Sequence, residues 1–428
     1  MEMPRREKTI KLKIVYKEIF CAEMQTFRFT ARAKVNVTVQ KKGDRMGKKV
    51  IVAGHACLDI TPLFPQNQQA AKLGNILSPG KLIQMEGVDI HAGGAVSNTG
   101  MAMKMLGADV CLMAKTGSDE FGKIISDIYA AQGADSGIIV QEGQNTSYSV
   151  VLALPGIDRI FLHDPGCNHT FSFEDLPKEK LLGTDLFHFG YPPLMKKMYE
   201  DTGSELVRMM KYMKAQGTAT SLDLAFVDGE SDAGRADWKE ILSRVLPYVD
   251  FFVPSIEELC FMLDRDRYEA WKTKAGDEDI SFSLDVQRDI RPLADKCMEL
   301  GAKVLLLKCG APGLYYRTTE VKRLEGLETA LGISAEDWSD REGFEASYQP
   351  ERVLSGTGAG DTTIAAFLTA MLEGYPFEMC IHLAAAEGAS CVEAYDALGG
   401  IRPLKELASR IEKGWKNRIS EDKEHGKC

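Results

Sequence analysis

The sequence predicts an α/β fold: a doubly wound, mostly parallel sheet flanked by helices, with a small separate β-sheet as a lid. Three observations carry this reading. From Asp185 onward short apolar runs (Leu186 to Phe189, Thr220 to Leu224, Phe251 to Val253, Val304 to Leu307) alternate with helical stretches such as Leu206 to Ala215 and Trp238 to Leu246. That rhythm belongs to strand–helix–strand units whose strands are buried on both faces. The later runs end on polar residues: Asp223, then Ser255 with Glu257 and Glu258, then Lys308-Cys309-Gly310. A ligand crevice opens at such carboxyl ends. Finally, Ser147 to Leu154 and Arg159 to His163, joined by Pro155-Gly156, read as a hairpin. With Leu82 to His91 it would make a second sheet, placed to cover the crevice.

Composition narrows the function. The chain has 428 residues, 44% of them hydrophobic, enough for one large domain with additions or for two. A net charge of −10 argues against nucleic acid or anionic lipid as the main partner. No apolar run reaches the roughly 18 residues of a membrane span. Ten cysteines are scattered without a C-x-x-C pair, which fits reduced thiols in the cytoplasm rather than zinc ligands or disulfides. The histidines show no metal-ligand spacing, so His163 and His188 read as core or strand residues.

Along the chain, residues 1–45 stand outside the pattern and carry neither an apolar signal core nor a cleavage site. Met46 precedes a basic run that enters the first buried strand, so Met46 is expected to be the natural start, with 1–45 either an annotation artefact or a loosely attached extension, and 46–416 the folded domain. Asp59 lies at the carboxyl end of that strand region, where it is a candidate acceptor for substrate hydroxyls or a turn aspartate. Lid strands are expected within about 55–92 and 147–165. Gly93 and Gly94, before Ala95-Val96-Ser97-Asn98, allow close backbone approach to a ligand, with a helix continuing to Leu106. Gly117 to Lys123 fits most of a phosphate-binding P-loop, yet Ile124 stands where Ser or Thr must hold magnesium, so it is rejected. Residues 264–288 and 318–349 are charged and poor in apolar periodicity and read as surface insertions, although Trp271, Trp338 and Tyr348 suggest that parts of them dock; the second, just before the glycine turn, is expected to be a solvated excursion. His382 to Ala397 and Pro403 to Trp415 are closing helices, and 417–428 is a charged tail.

The chemistry concentrates in Ser355-Gly356-Thr357-Gly358-Ala359-Gly360-Asp361. Arg352 to Leu354 read as a strand end, the glycines as a tight turn, and Ile364, Phe367, Leu368, Met371 and Leu372 as the apolar side of a helix stopped at Gly374. Unpaired N–H groups at a helix start hold an anion. A carboxylate in the first turn, Asp361, suits it to take a proton from a hydroxyl during phosphoryl transfer. Glu258, at another helix start, is a candidate magnesium-water ligand or an ordinary helix-dipole carboxylate.

These motifs together resemble the PfkB (ribokinase-like) family of carbohydrate kinases. Gly93-Gly94-Ala95-Val96-Ser97-Asn98 continuing to Gly117 through Gly122 is similar to the family's first signature, and Thr357-Gly358-Ala359-Gly360-Asp361 to its second, with Phe161 to Gly166 between. The resemblance covers roughly residue 48 to the closing helix. It implies ATP as donor, Mg²⁺ as required ion, Asp361 as general base, and the N–H groups of Gly358, Ala359 and Gly360 as anion hole. It also implies Asp59, Gly93, Gly94 and Asn98 on the substrate, Lys308, Gly310, Gly313 and Thr357 on the nucleotide, and Glu258 on the metal through water. Two departures stand out. Ser255 replaces the Asn of the family's N-x-x-E element, and Ser355 replaces an Asp that helps bind a monovalent cation, which leaves potassium use open. The expected activity is phosphorylation of a sugar or sugar derivative. Its rivals are a nucleoside kinase, with Phe64, Tyr148 and Phe161 to stack a base, and a regulatory protein that binds without turnover. A homodimer through the lid is a further implication of the resemblance.

Overall fold

The computed structural model describes residues 47–65, 76–154, 159–276 and 278–417. Among them eight strands form one sheet in the order β14-β13-β12-β11-β10-β9-β1-β4. The strands are β1 (Lys49–Gly54), β4 (Asp109–Met113), β9 (Leu186–Gly190), β10 (Ala219–Leu222), β11 (Phe251–Phe252), β12 (Val304–Lys308), β13 (Gly313–Thr318) and β14 (Glu342–Ala346). Pairing is parallel from β4 to β12 and antiparallel at β12–β13 and β13–β14. The doubly wound, mostly parallel sheet expected from the sequence is therefore present. Its cause is visible in β1, where Val50 and Val52 face one apolar layer while Ile51 and Ala53 face the other. Burying a Val or Ile side chain contributes about 1.5–3 kcal/mol, so such a strand is stable only when helices cover both faces.

A second sheet, in the order β3-β2-β7-β8, is built from β2 (Cys57–Leu63), β3 (Gly87–Gly93), β7 (Tyr148–Leu152) and β8 (Ile160–Asp164). It is the expected lid. Among the described residues a third, two-stranded sheet pairs β5 (Lys115–Gly117) with β6 (Ile139–Gln141). The Pro155-Gly156 turn, the extension before residue 47 and the tail from residue 418 lie outside the described residues.

Three local expectations differ from what is found. The 318–349 stretch is not a solvated excursion: it supplies β14 and the helix Val321–Leu331, whose Leu324, Leu327 and Leu331 are buried. Trp338 packs against Phe251, Phe367 and Phe377. In 264–288 the helix Arg265–Ala275 buries Tyr268 and Trp271. The 318–349 helix docks by a short leucine stripe together with Trp338, and the 264–288 helix by Tyr268 and Trp271 in place of a continuous stripe. Finally, Arg352 to Leu354 form no strand, and the N–H groups of Leu354 and Ser355 instead reach the carbonyl of Val392 at 2.8 and 3.4 Å. No described helix is long and apolar enough to cross a membrane.

Candidate active site

The glycine turn enters the helix Ala359–Leu372 through Gly358, its N-cap, with φ 76°. Only glycine adopts that conformation without strain, and a Cβ there would stand 2.3 Å from that of Ala397. Ser355 organises the approach: its Oγ accepts the Thr357 N–H at 3.1 Å and donates to Thr357 Oγ1 at 2.9 Å, a side-chain turn of the kind serine favours. The Ala359 N–H rests on the Gly356 carbonyl at a long 3.4 Å.

Asp361, in the first turn of that helix, is 4% exposed. Asn98 Nδ2 donates to its Oδ2 and Thr99 Oγ1 to its Oδ1, both at 3.1 Å. Tyr191 donates its hydroxyl to both oxygens at 2.8 Å. Burial raises the Asp361 carboxyl above the ordinary range, while Lys308 and these donors oppose the shift. A carboxylate so placed is a stronger base than a solvated one, and Lys308 with these donors favours its ionised form. Burial and the Asp361 charge push the Tyr191 phenol well up, so it keeps its proton and donates. Tyr191 follows β9 with φ 63°, a conformation costly for a bulky residue and typical of functional positions. The sequence reading passed over Tyr191 and Thr99. Their only local signal is position, one at a strand's carboxyl end and one beside Asn98.

Around this base lies a charged cluster. Lys308 ends β12 and donates to Asp223 Oδ1 at 2.8 Å, and its stem passes the glycine turn, 3.3 Å from where a Gly360 Cβ would lie. Burial alone would lower the Lys308 ammonium, but Asp223, Glu258 and Asp361 raise it. Asp223 is raised by burial, with Glu258 and Asp361 adding and Lys308 opposing; its Oδ2 is buried with no hydrogen-bond partner. Glu258 forms a capping box with Ser255: its Oε2 accepts the Ser255 N–H at 2.8 Å, and Ser255 Oγ accepts the Glu258 N–H at 3.3 Å. The serine at the family's asparagine position therefore acts as a helix cap. An orphaned carboxylate oxygen beside a second carboxylate fits Mg²⁺, which needs only one or two such ligands when nucleotide phosphates supply others. Among the described residues no group of three metal-ligating side chains forms.

The remaining nucleotide-side glycines divide. Gly310, with φ 61°, lies in the β12–β13 turn facing Ser281 of the 264–288 segment. Gly313 faces the Glu345 carbonyl, where a Cβ would come within 2.1 Å; this is the close approach of β13 to β14. On the acceptor side, the Asp59 carboxylate lies against Gly93, within 2.0 Å of a Cβ there, and accepts from Cys57 Sγ at 3.3 Å. Burial raises Asp59 against the hydrogen bonds of Cys57 and Ser149 and the charge of His91. Gly94 faces His55 in the same way. His163, in β8, pairs with Ser149 at 3.0 Å, and His188 pairs with Ser221 at 2.9 Å inside the main sheet. Arg159, just before β8, carries the lid's charge to the glycine turn: Nη1 donates to Ser355 Oγ at 3.4 Å. Nothing in the local sequence marks it out.

Of the aromatics suggested as base-stackers, Phe64 and Tyr148 pack against other residues and Phe161 stays open. Phe64 belongs to a small cluster with Ile76 and Leu154, Tyr148 packs edge-on against Phe121, and Phe161 is 53% exposed. Strand alternation turns Tyr148 away from the face that Asp59, Ser149 and His163 share, whereas Phe161, two residues before His163 in β8, lies on that face.

Residues 48–401 match the family described as pfkB family carbohydrate kinase. An uncharacterised sugar kinase of Archaeoglobus fulgidus is 22% identical over 302 residues, 70% of this chain and 98% of that protein. The structure of Arabidopsis thaliana ribokinase complexed with ribose and ATP superposes with a TM-score of 0.59 at 20% identity, covering 85% of this chain and 98% of that one. A nucleoside kinase of Methanocaldococcus jannaschii gives 0.56 at 18% identity, covering 86% and 100%.

Proposed function

We propose that this chain, which belongs to the pfkB family of carbohydrate kinases, moves the γ-phosphoryl group of ATP to a hydroxyl of a sugar or sugar derivative. The observation that carries the reading is the Asp361 carboxylate. It is buried one step behind a glycine turn and held by Tyr191, Asn98 and Thr99, with Lys308 raising no barrier to its ionisation. The acceptor hydroxyl loses its proton to Asp361 as its oxygen attacks phosphorus in line with the departing ADP oxygen. The N–H groups of Gly358, Ala359 and Gly360 face the charge on the transferred group, and Arg159 and Lys308 add positive charge from the lid and from the sheet. Such preorganised donors contribute roughly 2.7–4 kcal/mol each. Glu258 and Asp223 would hold Mg²⁺, which neutralises phosphate charge when bound. Thr357 and Gly310 border the nucleotide. Asn98, tied to the base, orients Asp361 as much as it meets substrate. Gly313 acts through strand packing.

ADP release measured against a panel of sugars, sugar acids, sugar phosphates and nucleosides tests the reading; binding of ATP and acceptor without turnover would favour a regulatory protein. The nucleoside alternative draws on the His55, His163 and Tyr191 rings, whose centroids lie 5.2 Å (His55–His163) and 6.2 Å (His55–Tyr191) apart. A homodimer through the lid belongs to the same reading, because Val88, Phe161 and Leu162 are each more than half exposed. Sedimentation at micromolar concentration checks it, and a monomer there refutes it.

A further inference from the structure

Asp361 is more fully occupied than a base awaiting a proton needs to be. Its Oδ1 accepts from Thr99 Oγ1 and its Oδ2 from Asn98 Nδ2, both at 3.1 Å, and the Tyr191 hydroxyl reaches both oxygens at 2.8 Å. An ionised carboxylate offers about four acceptor positions. All of them are taken, two by a hydroxyl that has a single proton to share. Thr99 is buried, and it shares the helical turn Val96–Gly100 with Asn98, so those two contacts are fixed. A hydroxyl or a water that is to give its proton to Asp361 must take over one of the contacts of Tyr191.

The segment that carries Tyr191 is strained at both ends. Among the described residues four non-glycine residues have a left-handed φ, and three of them fall here: Tyr191 at 63°, Asp201 at 48° and Thr202 at 50°. Tyr191 precedes Pro192, and a residue before proline favours extended backbone; a β-branched threonine is a rare occupant of the left-handed region. Gly203, at 74°, lengthens the second turn to three residues. Such conformations persist only where neighbours impose them. At the far end the neighbours belong to the helix Trp238–Val245. Arg244 Nη1 donates to the Asp201 and Thr202 carbonyls at 3.2 and 2.6 Å and also to Thr202 Oγ1, while a Cβ on Gly203 would lie 2.8 Å from Ile241. Between the two ends Met195 and Met198 are buried. Residues 191–203 are thus a strap, tethered to that helix at one end and to Asp361 at the other.

We propose that Tyr191 discriminates the acceptor from water: its bridging hydroxyl closes Asp361 to a lone water and yields one carboxylate oxygen only to an acceptor held by the rest of the site, with Arg244 acting through the strap to keep the bridge in place. This inference rests on the kinase reading. A water molecule that displaces Tyr191 exchanges one hydrogen bond for another, whereas an acceptor brings contacts elsewhere that offset the shift. Tyr191 keeps the second oxygen and so remains a donor to the ionised base during transfer. Burial, then the Asp361 charge, holds its own proton in place. The step it prevents is hydrolysis of ATP. There the water oxygen bonds to the γ-phosphorus as the bond from phosphorus to the ADP oxygen breaks, the water proton passes to Asp361, and ADP and phosphate leave.

The test needs no acceptor. Phosphate release from ATP and Mg²⁺ alone is measured for the full chain and its variants, beside calorimetric binding of ATP and thermal unfolding. In Tyr191→Phe it should rise at least about tenfold, since a base opened to water contributes roughly 10²- to 10⁴-fold, and the rise should disappear when Asp361→Asn is added. Arg244→Met should raise it by about threefold, and add little in a Tyr191→Phe background, because both changes act on one bridge. Unchanged hydrolysis in a folded Tyr191→Phe protein that binds ATP overturns the inference alone, as does a rise that survives Asp361→Asn. Failure of the wild-type chain to bind ATP overturns the kinase reading, and this inference with it. For Arg244, a lowered melting temperature with unchanged phosphate release, or an effect that adds in full to that of Tyr191→Phe, reduces its role to holding the fold. Were Tyr191→Phe unfolded, Arg244→Met would carry the test, with unchanged release as the refuting result.

Discussion

Replacing Asp361 by Asn isolates the base. The variant keeps size and polarity but cannot take the acceptor proton, and a positioned base contributes roughly 10²- to 10⁴-fold. At about 1.36 kcal/mol per tenfold this is about 2.7–5.5 kcal/mol of transition-state stabilisation. The surroundings indicate that the fold tolerates the change. One amide oxygen can still accept from Tyr191 and from Thr99 or Asn98, and the new NH₂ can face either the Thr99 hydroxyl or an Asn98 amide rotated to present its oxygen. Loss of charged hydrogen bonds is offset by removing a buried charge, so the stability change should stay within about 1 kcal/mol. The assay is ADP release at saturating ATP and acceptor, beside thermal unfolding and ATP binding. We expect kcat and kcat/KM to fall together by the same factor, the signature of an interaction made in the transition state. A folded Asp361→Asn protein within about tenfold of the wild-type rate would falsify the assignment of Asp361 as base.

Four further outcomes follow from the same geometry. Turnover should fall as pH drops through the Asp361 carboxyl, which burial raises. Tyr191→Phe removes a donor to the ionised form, so the acid limb of the kcat profile should move to higher pH; an unmoved limb refutes the contact. Burial pushes Glu387 up to about 8, and its Oε1 has no partner. The folded state therefore holds a proton that the unfolded state has released, and stability should decline as pH rises from the ordinary carboxylate range toward 8. Glu387→Gln should flatten that decline in urea titrations at several pH values. Gly358→Ala forces a side chain into the left-handed region and against Ala397, costing about 1–2 kcal/mol of backbone strain plus about 1–3 kcal/mol of overpacking; an unchanged melting temperature would count against this. Because Ser355 Oγ is occupied by the Thr357 N–H and Arg159, replacing potassium chloride by tetramethylammonium chloride should leave turnover unchanged. A marked loss would show that a monovalent cation is still used.

What the sequence disclosed and what it withheld divide by the range of the interactions. The parallel sheet was readable because each strand is an apolar run whose meaning is local: Val50 to Ala53 must be covered on both faces wherever they lie. The glycine turn was readable for the same reason, since Gly358, Asp361 and the helix they start are neighbours in sequence. Tyr191 was not, because its hydroxyl meets a carboxylate 170 residues away, and a tyrosine before Pro-Pro looks like any strand end. Arg159 is 196 residues from Ser355, and Trp338 gained its place in the core only when the sheet brought Phe251 and Phe367 to it. Glu258 illustrates the middle case: the local sequence allowed either a helix cap or a metal ligand, and the capping box with Ser255 occupies one carboxylate oxygen only, so the two roles are compatible. The acceptor side is assembled almost wholly from long-range contacts among β1, the lid and the Tyr191 turn. A motif can therefore identify the phosphoryl chemistry of such a chain while leaving its acceptor unread. The identity of the acceptor has to be sought in side chains such as His55, which carry no signature and acquire meaning from what the fold sets beside them.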